Sequence, residues 1–155
     1  MKLLKLFFVL FIALLSVFAG CKSKEQTGVN PEEIIDLLKI HYCTDEIFKL
    51  YTDDTIVEFN RFKNIAKVDE MTSYSILSFI PQKAEVEIVN KKCKDSACTL
   101  LIRFISHPVE NMRGFSTDIF LKKEDNVWKI DRSKDFRGMA DSANSQGADG
   151  YFKNL

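Results

Sequence analysis

The usual signatures of catalysis are missing from this chain. It has no nucleophile elbow, no phosphate-binding loop and no dinucleotide fingerprint. Histidine is scarce: His41 and His107 are the only two. No Cys/His pair at ligand spacing accompanies Cys93 and Cys98, which argues against zinc or any other bound metal. Charge of one sign is also lacking. The 22 basic residues are matched by 22 acidic ones, and no run of like charge exceeds a few residues. Nucleic-acid binding needs a concentrated basic face, so no nucleic-acid partner is expected. Nor is there a polybasic segment to hold a membrane electrostatically. No internal repeat occurs at any useful period. These absences direct expectation to a non-enzyme without cofactors.

What is present begins at the N-terminus. Lys2 and Lys5 give a short basic start, residues 6–15 are unbroken apolar, and small residues then lead to Cys21. That order is the secretory one. Residues 6–20 would span roughly 22 Å as a helix, short of a hydrocarbon core of about 30 Å. The polar residues 22–26 forbid any extension. Ala19, Gly20 and Cys21 resemble the end of a bacterial lipoprotein signal, although Phe18 stands where that family usually carries leucine. The resemblance implies cleavage before Cys21 and lipidation of its thiol. It implies export and a lipid anchor in the bacterial cell envelope. Lys22 is not the aspartate that retains enterobacterial lipoproteins, so the outer membrane is favoured over the inner. Each buried methylene contributes about 0.8 kcal/mol, and one chain binds only marginally. Two or three chains make release negligible.

Residues 1–20 are therefore set aside as a signal peptide, leaving 135 of the 155 residues, one domain's worth. Losing Lys2 and Lys5 leaves 20 basic against 22 acidic residues, a formal charge near −2. Residues 21–29 read as a tether and 30–136 as an α+β domain. Residues 137–155, rich in Gly, Ala, Ser, Asp and Asn, read as a flexible tail. Thirteen phenylalanines are enough to fill a core, and core packing is the expected role for each one in the domain.

Asn30, Pro31 and Glu33 form a helix start with a capping box. Ile34, Ile35, Leu37, Leu38 and Tyr42 follow as an apolar stripe. A second start at Thr44 feeds a short tandem helix, with a break near Cys43. Residues 53–65 fit a helix capped at Thr52, or a strand over 55–59, with helix preferred. Residues 68–80 predict a helix stopped by Pro81. The period then changes to strands. Ala84, Val86 and Ile88 alternate with glutamates, and 99–106, 115–123 and 127–132 continue the sheet. A two-residue turn at Asp125-Asn126 sets Leu121 against Ile130 and Lys123 against Trp128. It gathers Ile119, Leu121, Trp128 and Ile130 on one face, with Phe120, Lys122, Lys129 and Asp131 on the other.

Beyond Cys21, three cysteines remain. An exported chain permits disulfides, and Cys93 and Cys98 flank a short turn, so a bridge is expected there with Cys43 left over. The pairing raises a conflict. Cys93 directly opposite Cys98 sets Glu87 against Phe104 and mixes polar and apolar faces. The register that puts Val86 and Ile88 beside Leu100, Ile102 and Phe104 sends the cysteines to opposite faces unless a bulge intervenes.

Helices first, then antiparallel strands ending in the Trp-containing segment 125–131, resemble the nuclear-transport-factor-2-like, or cystatin-like, fold. Small lipoproteins carry this fold after a lipidated cysteine. The resemblance implies N-terminal helices packed on a curved antiparallel sheet over roughly 30–136. That family's enzymes place an Asp or His dyad in a cone-shaped cavity, and no such dyad carries over here. The expected function is a membrane-anchored, non-catalytic binding module for an envelope protein or a small apolar ligand. The alternative is a hydrolase- or isomerase-like enzyme with His107 as acid/base.

Overall fold

The computed structural model describes residues 30–146. The signal peptide 1–20, Cys21 and the tether up to residue 29 lie outside the described residues, as do residues 147–155. The fold is α+β. Helices come first, a four-stranded antiparallel sheet follows, and a final helix closes the described chain.

Helix α1 (Glu33–Ile40) buries Ile34, Ile35 and Leu38, the stripe expected from its spacing. It begins without the capping box. Glu32 is the N-cap and bonds no backbone amide, while the Asn30 amide donates to Glu32 Oε2 at 3.3 Å. Pro31 is buried in the turn that precedes the helix. The break comes at Cys43, which sits at φ 55°. The tandem helix expected after Thr44 is a single 3-10 segment, Asp45–Leu50. A tertiary pairing ends it: Tyr51 is extended and bridges Ile130 in parallel.

The ambiguous stretch is helix α2 (Asp53–Ala66). Thr52 caps it, accepting from Thr55 N at 3.2 Å. Thr55, Phe59, Phe62 and Ala66 are buried at spacings of four, three and four, one helical stripe. Helix α3 (Glu70–Leu77) is shorter than the sequence suggests. Asp69 caps its start, accepting from Thr72 N at 2.8 Å. It stops at Ser78, ahead of Pro81, where the Ser78 hydroxyl accepts from Cys43 N at 2.8 Å.

Strands β1 (Glu85–Lys94), β2 (Ala97–Ser106), β3 (Ser116–Glu124) and β4 (Val127–Ile130) pair in chain order. The β3–β4 hairpin has the register read from its pattern, with Leu121 opposite Ile130 and Lys123 opposite Trp128. Asp125 and Asn126 both have positive φ, as a two-residue primed turn requires. In β1–β2 both conflicting registers occur. Val86 and Ile88 face Phe104 and Ile102, whereas Asn90 to Lys94 face Leu101 to Ala97 with Cys93 opposite Cys98. The register shifts between Ile88 and Asn90, so Val89 is the extra residue of a bulge.

Residues 137–146 correct the expected tail. They complete helix α4 (Ser133–Gln146). Phe136, Ala140 and Ala143 are fully buried at i, i+4 and i+7, and Phe136 meets Phe59 edge-on at 5.0 Å. The small alanines allow α4 to lie close to α2. Glu58–Arg137 at 2.9 Å and Arg61–Asp141 at 2.6 Å flank the seam. Composition suggested looseness, but packing against α2 supplies the order.

A polar knot ties these layers together. Thr52 N donates to Ile130 O at 3.0 Å, and Arg132 N donates to Thr55 Oγ1 at 2.9 Å. The Thr52 and Thr55 hydroxyls are 2.7 Å apart, and both residues are fully buried. Thr55→Val keeps the shape but strands the Arg132 amide, and is expected to cost about 1–3 kcal/mol in urea unfolding. Phe136→Ala should cost about 3–5 kcal/mol by the same measurement.

Candidate functional site

The inner face of the sheet is filled. Leu100, Ile102, Phe104, Ile119, Leu121 and Ile130 join the helices in one core. The outer face is open among the described residues, and register decides what stands on it. One row runs Lys92, Thr99, Phe120, Asp131 across the four strands and their exit. The next runs Lys94, Ala97, Lys122, Lys129. Phe120 is half exposed at 50% instead of joining the core. Phe115 is likewise 50% exposed.

These rows floor a cleft of about 460 Å³, walled on one side by Asp131, Arg132, Lys134 and Asp135. A second cleft of about 210 Å³ adjoins it, and Phe120, Arg132 and Asp135 line both. This second cleft has Phe79, Phe104, Met112 and Phe115 in its walls beside Thr117 and the charged Asp118, Arg132 and Asp135. It exists because β4 is short. Asp131 N donates to Phe120 O at 2.8 Å as the last rung of the β3–β4 ladder. The next rung would pair Asp118 with Ser133, but Ser133 opens α4. Ladder alternation therefore aims the Asp118 backbone groups at a free edge.

The larger cleft has a positive balance. Lys92, Lys94, Lys122, Arg132 and Lys134 surround it, against Asp131 and Asp135. Both carboxylates are already engaged. Asp131 accepts from the Ser133 amide at 3.1 Å and its hydroxyl at 2.7 Å, and Asp135 accepts from Arg132 Nε at 3.1 Å. Lys122 lies 3.6 Å from Asp54. Among the described residues no ion pair engages Lys92, Lys94 or Lys134. Arg132 is held by stacking as well as charge, its guanidinium 4.8 Å from the Phe136 ring and 5.7 Å from Phe79. Beneath it Tyr51 donates to Leu77 O at 2.5 Å. Burial pushes that phenol well above its ordinary pKa, with Arg132 opposing the shift, so Tyr51 is a neutral structural donor.

Cys93 and Cys98 border this cleft at disulfide distance, with Cα atoms 4.0 Å apart. Cys43 is a free, half-buried thiol on the α1 side. His107 lies elsewhere. It accepts Val109 N at 3.0 Å within its own turn, packs on Phe104 at 5.0 Å, and faces a shallow depression with Glu85, Glu110 and Arg113. Cys21 lies outside the described residues. Among the described residues no group of three or more His, Cys, Asp or Glu side chains converges to hold a metal. No described helix is long and apolar enough to cross a membrane.

No protein-family model, curated protein or solved structure matches the chain.

Replacing both Cys93 and Cys98 by serine should cost about 2 kcal/mol in thermal unfolding, by the chain-entropy model for so short a loop. Equal stability with and without reductant would contradict the bridge.

Proposed function

We propose that this chain is an exported envelope lipoprotein, anchored through lipid on Cys21, whose domain is a non-catalytic binding module. The outer membrane is its site, and the order of helices and strands fits a nuclear-transport-factor-2-like domain. The observation that carries the binding role is the uncovered outer sheet face, where two adjoining clefts meet at Phe120 and Arg132. Concave sites with an apolar floor and a few convergent polar groups are where small ligands bind.

Nine residues from Cys21 to Asn30 would let the lipid lie at most about 30 Å from the start of the domain.

Metabolic labelling with a palmitate analogue should mark the wild-type protein, and Cys21→Ala should abolish the label. A label that survives the substitution, or a native N-terminus other than Cys21, contradicts the anchor. For binding, small molecules extracted from the native protein and measured by mass spectrometry should be depleted in Phe120→Ala. Identical extracts from the two proteins contradict the module.

A further inference from the structure

The geometry points to an amphiphilic anion as the ligand: an alkyl chain carrying a phosphate or carboxylate head. This rests on the binding role proposed above and names its chemistry. The head goes to the larger cleft, where Lys92, Lys94 and Lys134 have no ion-pair partner among the described residues and both local carboxylates are engaged. A site with cations to spare stabilises an acidic group and disfavours a cationic one. The chain passes the half-exposed Phe120 and enters the second cleft between Phe79, Phe104, Met112 and Phe115, past the Asp118 carboxylate at its edge. Arg132 stands where the two clefts join, fixed by Asp135, Phe136 and Phe79. It is a charge placed at the boundary between head and chain. Neither cleft alone specifies such a molecule. Their junction does, because one end offers lysines for an acidic head and the other aromatic walls against which methylenes leave water.

The register explains how a chain with no basic run builds this head site. Lys92 and Lys94 come from β1 and Lys134 from the first turn of α4. The Val89 bulge moves the β1 segment that follows it by one position against β2. Without that shift, Lys92 and Lys94 would turn to the inner face.

The test uses the full chain in phosphatidylcholine nanodiscs, with empty nanodiscs subtracted. Octyl phosphate, octyl glucoside and inorganic phosphate are compared by equilibrium dialysis. Octyl phosphate should bind at least about ten-fold tighter than either of the others. Lys92→Ala combined with Lys134→Ala changes two exposed side chains, and should bring octyl phosphate down to the octyl glucoside level. In the wild type, raising salt from about 0.05 to 0.5 M should weaken octyl phosphate and leave octyl glucoside unchanged. This readout needs no variant to fold. If octyl glucoside binds as tightly as octyl phosphate, the anionic head is wrong and the binding module survives. If inorganic phosphate matches octyl phosphate, the chain site is wrong. If none of the three binds, the binding reading itself falls. Association seen only with phosphatidylglycerol vesicles, and not with octyl phosphate, overturns the proposal in favour of an acidic membrane surface.

Discussion

The Thr55 hydroxyl anchors the chain as it leaves the sheet. Fully buried at the start of α2, it accepts the Arg132 amide and lies beside Thr52, whose own amide holds the Ile130 carbonyl. An extended continuation of β4 would need the backbone of residues 131–133 to pair with β3. The next rung would use the Ser133 amide, which the Asp131 carboxylate takes instead, while the Arg132 amide, facing away from β3, is held by Thr55. The chain then enters α4. Unpaired polar groups at this depth would cost about 1–3 kcal/mol each, so the two threonines and the helix start are mutually dependent.

The binding clefts follow from that early ending. Because β4 stops at Ile130, the β3 edge near Asp118 stays open and a crevice forms between it and Arg132. Because α4 turns away to pack on α2, no described helix covers the outer sheet face around Phe120. The same stop supplies Arg132 and Lys134 to the wall of the larger cleft. A longer β4 would close the edge and give a more regular sheet without the smaller cleft.

Parts of this were legible in the sequence and parts were not. The β3–β4 hairpin was, because a turn at Asp125-Asn126 puts Ile119, Leu121, Trp128 and Ile130 on one face and Phe120, Lys122, Lys129 and Asp131 on the other. The break at Cys43 and the helix after Thr52 were read from spacing and capping. The β1–β2 pairing was legible only as a contradiction: each register satisfied half the residues, and no local signal singled out Val89 as the extra one. Helix α4 was missed because its buried stripe consists of Phe136 and two alanines in a polar, small-residue segment, and its order comes from contact with α2. The capping box at Asn30 failed because Asn30 bonds Glu32. The basic cleft was invisible to a search for charge runs. Its lysines are scattered from position 92 to 134 and meet only through strand register and the turn into α4.

Residue-resolved amide hydrogen exchange tests the early end of β4 most directly. The Phe120 carbonyl takes the last rung, so the amides of Lys122 and Glu124 should be protected and that of Asp118 should exchange rapidly. The Arg132 amide, held by Thr55, should be protected in the wild type and exposed in Thr55→Val. An Asp118 amide as slow as that of Lys122 would mean that the ladder runs on past Ile130, and the account of both clefts would be wrong.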